Sequence, residues 1–181
     1  MPFGAALTFD AETDVAVRGL WQAQADAGLA GLMPGSGYPP HMTLLLAEDG
    51  DIDGMRAALA LLAREMPPLL VSFLAIGVFP AEYGVVYLAP VANRELLDAH
   101  AAIWAAVYPH LANLYDHYRP GVWVPHVTLA YRLPPEQIGP AASFLARSAW
   151  PRAGQVTSIL FGDFQVGSES HLETVKLGWN S

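Results

Sequence analysis

Pro40-His41-Met42-Thr43-Leu44 recurs as Pro125-His126-Val127-Thr128-Leu129, 85 residues further along the chain. The same spacing relates Gly77 to Gly162 and Phe79 to Phe164. Between these anchors, Leu62-Ala63-Arg64 matches Leu145-Ala146-Arg147 at a spacing of 83, so the connection after them differs by two residues between the copies. A long period that occurs twice is a duplicated unit and not a solenoid, which needs several shorter repeats. The two motif repeats begin near 40 and 125. Two such units are expected to pack about a pseudo-twofold axis, with His41 and His126 on either side of one central cleft.

The pattern around the motifs supplies the rest of each unit. Phe3 to Phe9 reads as a strand, and Asp10 to Asp14 offers capping and acidic first-turn residues for a helix running to about Gly28. Gly31 to Pro40 is a Gly/Pro-rich loop, and His41 to Ala47 is a short strand. Ile52, Met55, Leu59, Leu62 and Met66, spaced by three or four, predict a helix over 51–66 that Pro67-Pro68 ends. Leu69 to Phe79 and Tyr83 to Ala89 predict a hairpin turning at Pro80-Ala81-Glu82. A helix from Arg94 to about Leu111, a loop over 113–125, a strand from Val127 to Leu133 and a helix from Pro134 to Ser148 come next. Gln155 to Val166 and His171 to Leu177 close the chain as strands. The whole is an α+β (mixed α/β) fold: one bilobal domain over 1–181, built from duplicated strand-helix-strand-strand units.

Composition narrows the function classes. The 181 residues are 53% hydrophobic, which excludes a disordered chain. Charged residues are 14%, against roughly 25% in an average domain. With 9 Lys plus Arg against 17 Asp plus Glu the formal net charge is −8. A long nucleic-acid grip needs many cationic contacts, so none is expected. The absence of cysteine excludes thiolate zinc sites, iron–sulfur clusters and Cys nucleophiles. No stretch approaches the roughly 20 apolar residues of a membrane span, and Met1-Pro2-Phe3-Gly4 lacks the basic start of a secretory signal. A cytoplasmic monomer with no membrane contact is the expectation.

The motif itself carries chemistry. Alternate residues of a strand share a face, so His41 and Thr43 point one way and Met42 and Leu44 the other; His126 and Thr128 repeat this. The apolar pair packs under helices, leaving the polar pair for the cleft. Two imidazoles across a cleft suit concerted work: neutral His takes a proton from water or a hydroxyl, and protonated His gives one to a leaving oxygen. Two threonine hydroxyls can donate to the non-bridging oxygens of a phosphate held between them. Packing explains repeated prolines and leucines but gives no reason to repeat His and Thr on the other face. Two His without a Cys or carboxylate make a poor metal set; Asp10, Asp163 or Glu173 would join only if the fold brought them close. No metal and no cofactor are expected.

Other residues carry weaker signals. Arg132 lies an even six residues after His126, so strand alternation allows it the cleft face as a cation near phosphate, the alternative being a solvated Arg at a strand end; its counterpart in the first repeat is Ala47. Tyr38 and Trp123, just before the two motifs, are candidates to stack on a base or, equally, to lie as lids over the core. Phe79 and Phe164 match across the repeat, and packing accounts for them. Arg64 and Arg147 sit late in helices, where they complement the dipole, and His110 does the same. His100, His117 and His171 belong to no repeated pattern.

His41-Met42-Thr43-Leu44 and His126-Val127-Thr128-Leu129 resemble the paired His-x-Thr/Ser-x motifs of the 2H phosphoesterase superfamily, which includes 2′-5′ RNA ligase-like proteins and 2′,3′-cyclic nucleotide phosphodiesterases. The resemblance spans nearly the whole chain. It implies a bilobal fold around a groove and metal-independent opening of cyclic phosphates, cleavage of 2′-5′ linkages or reversible RNA joining. It also implies an acid–base pair of His41 and His126, with Thr43 and Thr128 holding phosphate. The substrate expected is a small phosphorylated one, a cyclic nucleotide or an RNA terminus. A chain with Lys176 as its one lysine departs from what RNA-acting members need, which favours the nucleotide-sized substrate. A non-catalytic module that binds a nucleotide or RNA end is the alternative from another class.

Overall fold

The computed structural model describes residues 3–29, 31–79, 84–164 and 172–178. Strand β1 (Phe3–Phe9) leads into helix α1 (Ala11–Asp26). Asp10 joins them: one carboxylate oxygen accepts the Thr13 N–H at 2.8 Å, and the other accepts the Gln155 N–H at 2.6 Å. The first bond satisfies an orphan donor of the helix; the second ties the helix start to the sheet. Strand β2 (His41–Gly50), helix α2 (Ile52–Glu65) and strand β3 (Leu69–Phe79) come after it. Asp51 caps α2 through the N–H groups of Asp53 and Gly54. Strand β4 (Gly84–Pro90) precedes helix α3 (Arg94–Val107), capped by Asn93. Strand β5 (Leu111–Leu114), strand β6 (Val127–Leu133), helix α4 (Pro135–Arg147), strand β7 (Ala153–Asp163) and strand β8 (Leu172–Lys176) complete the order.

The largest departures from the sequence pattern lie around α3, β5 and the end of β2. Helix α3 stops at Val107, because Tyr108–His110 tightens into a 3-10 turn containing Pro109. Strand β5 lies where the helix end and a loop are expected; its four residues are too few to show alternation. It forms by pairing with Ala47, Asp49 and Gly50, and the same pairing carries β2 to Gly50 instead of Ala47. The hairpin turn at Pro80-Ala81-Glu82, Tyr83, and the strand ends at Gln165, Val166 and His171 lie outside the described residues.

All strand pairs are antiparallel, in the order β5-β2-β1-β7-β3-β4-β6, with β8 also paired to β7. With the four helices this is a mixed α/β architecture. The central join is short: Leu69–Ser72 of β3 meets Val156–Ala153 of β7. On either side the pairing is alike. Strand β1 lies between β7 and β2, and β4 lies between β3 and β6. The order of elements before the two motifs is also alike, β1-α1 before β2 and β4-α3 before β6. The helices cross over: α3 packs with α2 against β2, whereas α1 packs with α4 and touches β6. Each motif strand is thus backed by a helix from the other half of the chain. Met42, Leu44, Val127 and Leu129 are buried under these helices, on the face opposite His41, Thr43, His126 and Thr128. Among the described residues no helix is long and apolar enough to cross a membrane.

Candidate functional site

The two motif strands bring His41, Thr43, His126 and Thr128 to one cleft of about 860 Å³. Each histidine is oriented the same way. The Nδ1–H of His41 donates to the Pro39 carbonyl at 2.8 Å, and that of His126 donates to the Val124 carbonyl at 2.8 Å. A carbonyl only accepts, so it fixes the proton on Nδ1 and leaves Nε2 as the working nitrogen of the neutral ring. The chain can make this contact because Pro40 and Pro125, both with fixed φ, hold the preceding residues extended.

Both imidazoles titrate below the ordinary histidine value of 6.5. Burial is the main cause at His41, partly offset by its bond to Pro39 and reinforced by the charge of His126. Burial also dominates at His126, opposed by the Val124 bond and reinforced by His117. Protonation of one motif histidine therefore weighs on the other. The pair favours a resting state in which Nε2 is available as a base.

Aromatic rings wall each histidine. Tyr38 stacks on Phe164 with ring centroids 6.0 Å apart, and His41 meets both rings at 5.8 and 6.1 Å. Phe79 stacks on Tyr87 at 4.3 Å, and His126 meets the edge of that pair at 5.0 and 5.7 Å. Phe79 and Phe164, expected from the sequence only to pack, line the cleft and do so crosswise. Phe79 follows the first motif but stands at the second histidine, and Phe164 the reverse. Their matched spacing was the available signal. His117, with no repeated pattern, also lines the cleft.

Both motif strands carry a β-bulge at the matched position. Ala6 faces Thr43 and Ala5 faces Leu45, leaving Leu44 without an opposite residue. Tyr87 faces Thr128 and Val86 faces Ala130, leaving Leu129 likewise. A bulge inserts one residue and re-aims the side chains beyond it, so an odd step from the histidine now faces the cleft. Leu46 and Tyr131 line it. Arg132, which unbroken alternation places there, is not among the described lining residues; it takes a left-handed φ of 60° at a second irregularity in β6. Tyr38 and Trp123 do line the cleft. Of the carboxylates considered with a metal, Asp10 caps α1 and Glu173 pairs with Arg56 at 2.6 Å. Asp163 is buried on β7.

The carbonyls beside each bulge are held by side chains. Trp123 Nε1–H donates to the Thr43 carbonyl at 2.9 Å, and His100 Nε2 meets the Leu44 carbonyl at 3.0 Å. In the other strand Trp21 Nε1–H donates to the Thr128 carbonyl at 3.0 Å, and Gln24 Nε2–H to the Leu129 carbonyl at 3.0 Å.

The family model for the 2′-5′ RNA ligase superfamily matches residues 20–161, which include both motifs. Among solved structures, the chain is similar to TT0787 of Thermus thermophilus, at 19% identity over 98% of this chain and 95% of that one, with a TM-score of 0.57. It is similar to E. coli LigT complexed with 3′-AMP, at 19% identity over 98% and 99%, with a TM-score of 0.56. It is also similar to Kluyveromyces marxianus Usb1, at 12% identity over 97% of each chain, with a TM-score of 0.55. At these identities the likeness is one of fold. No curated protein sequence matches this chain.

Proposed function

The chain belongs to the 2′-5′ RNA ligase superfamily, and on that premise we propose that it is a metal-independent phosphoesterase that opens 2′,3′-cyclic phosphates of nucleotides or RNA ends to 2′-phosphates. The observation that carries this reading is the pair of histidines in one cleft, each with Nδ1 tied to the carbonyl two residues before it. One Nε2 takes a proton from water as its oxygen bonds to phosphorus. The other, protonated, gives its proton to the 3′-oxygen as the P–O3′ bond breaks. Thr43 and Thr128 donate hydrogen bonds to the non-bridging oxygens, where negative charge builds. The protein works as one two-lobed monomer, with the motif repeats beginning near 40 and 125.

The walls of the cleft support a nucleotide-sized substrate. The nine Lys and Arg residues of the sequence all fall within the described residues, and none lines the cleft. Aromatic stacking is worth about 1–3 kcal/mol per base, so the Tyr38–Phe164 and Phe79–Tyr87 pairs can hold a base where cations would hold further phosphates. That favours cyclic phosphate hydrolysis over the second reading, reversible 2′-5′ joining of RNA. E. coli LigT complexed with 3′-AMP is a relative of like fold with a ligand of this size.

The test is incubation of the purified protein, with EDTA, with each of the four nucleoside 2′,3′-cyclic monophosphates, resolving 2′- from 3′-monophosphate. The 2′-phosphate is expected to accumulate, and turnover to fall at least about a hundredfold in His41→Ala and in His126→Ala. Near-normal turnover in both variants would sink the mechanism. Binding of a 2′-phosphate without turnover would put the non-catalytic module first.

A further inference from the structure

We propose that His100 and Gln24 are positioning residues, each pinning the bulge that sets the direction of one motif threonine toward the phosphate. The proposal rests on the acid–base reading above. Neither residue lines the cleft. Each acts through backbone: His100 through the Leu44 carbonyl, one residue beyond Thr43, and Gln24 through the Leu129 carbonyl, one residue beyond Thr128.

The bulge explains why such residues are needed. A regular strand fixes each carbonyl by a ladder bond to its neighbour, whereas a bulge leaves an extra residue unpaired and the ladder disrupted. Here that residue directly follows the threonine in both strands. With its carbonyl unheld, the peptide that follows the bulged residue could rotate, and the strand just before it could carry the threonine hydroxyl off the phosphate. A displacement of about 1 Å at such a group costs on the order of a hundredfold in rate.

The same task is met by different chemistry in the two halves, which separates it from shared packing. At Thr43 and Leu44 the partners are the Trp123 N–H and His100 Nε2, whose rings stack 4.1 Å apart and 14° from parallel, and the same imidazole also bonds the backbone of Tyr118. At Thr128 and Leu129 they come from Trp21 and Gln24, one turn apart on α1. A duplicated packing position needs only matched apolar volume. What matches instead is a donor aimed at the bulge carbonyl.

Burial argues the same way. His100 is 1% exposed and Gln24 0%, and polar side chains are rarely so buried without a reason. Gln24 also leaves its Oε1 buried and unpartnered. A methionine would fill that space without the orphaned acceptor. The amide is retained at a cost that its donor end explains.

Four variants test this. His100→Leu and Gln24→Met remove the donor. His100→Gln and Gln24→His restore it by using the donor type of the other half. Thermal melting confirms that each variant folds. With a 2′,3′-cyclic nucleotide, His100→Leu and Gln24→Met are expected to lose about tenfold or more in kcat with KM within about twofold, and the donor-retaining variants to recover most of it. Threonine methyl NMR reads position without turnover: His100→Leu should move the Thr43 methyl and not that of Thr128, and Gln24→Met the reverse. Unmoved methyls with unchanged kcat overturn the proposal. Loss of kcat that the donor-retaining variants share, with KM rising in step, marks a packing role and overturns it too. A wild-type protein that hydrolyses no cyclic phosphate fails the functional reading alone, and the methyl shifts then decide this one.

Discussion

The indole of Trp123 donates its N–H to the carbonyl of Thr43 at 2.9 Å, so a side chain just before the second motif holds the backbone of the first. Trp21 returns the relation to Thr128 at 3.0 Å. The two halves of the chain are therefore coupled through the backbone of the very threonines proposed to hold phosphate. A change under one lobe reaches the motif strand of the other.

Activity should peak on the acid side of an ordinary histidine's range. Burial lowers both His41 and His126 from 6.5, and the mechanism needs one neutral and one protonated ring. The bell of kcat/KM reports the free enzyme, and its limbs belong to the coupled pair. We expect its maximum below pH 6.5. The kcat maximum should lie higher, because a bound phosphate anion stabilises the protonated ring. A kcat/KM profile peaking above pH 7 would contradict the electrostatics described here.

Stability should fall as the solution is acidified through the same range. His41, His100 and His126 all titrate below 6.5 in the folded protein, in each case chiefly because burial disfavours the charged ring. The unfolded chain binds protons at each near pH 6.5, while the folded chain resists them. Between the folded values and 6.5 the unfolded state holds more protons, so unfolding becomes easier as pH drops. The stabilisation is complete above pH 6.5 and is lost below it. Urea midpoints measured from pH 7.5 to pH 5 should decline, and a flat series would refute the assignment.

A single methyl group at Gly77 should disturb the second histidine from a distance. A Cβ built there overlaps the ring of Tyr87, which stacks on Phe79 and meets the edge of His126. Tyr87 must shift, and with it the wall beside His126. Gly77→Ala is expected to lower kcat/KM by about tenfold. Gly19 lies on the exposed face of α1 with open space around it, so Gly19→Ala is the control. It should leave activity unchanged and add about 0.5–1 kcal/mol of stability by relieving glycine's backbone entropy. Equal activity in the two variants would mean that the Tyr87 wall does not matter.

Much of this was legible because it is local. His41 and Thr43 share a face by the two-residue period of a strand, and the caps at Asp10 and Asp51 follow from side-chain reach of two or three residues. The repeated motif, with polar groups on the face that packing does not need, carries the expectation of cleft chemistry within the sequence itself. Arg132 shows where that arithmetic stops. Counting even steps assumes an unbroken ladder, but register is agreed between two strands, and the insertions at Leu44 and Leu129 exist only relative to β1 and β4. Tyr131 consequently faces the cleft instead.

The sequence by itself determined the duplicated unit, the four motif residues and the faces they share, since each depends on neighbours a few positions apart or on a repeat visible in one dimension. Tertiary structure alone decided that Phe79 stands at His126 and Phe164 at His41. It alone brought His117 to the cleft, and aimed His100 and Gln24 at carbonyls 56 and 105 residues away. Those assignments come from strand pairing and from helices that cross to the opposite half. Only the packed chain sets such distances, because the free energy that selects them is shared among many long-range contacts and written in no single stretch.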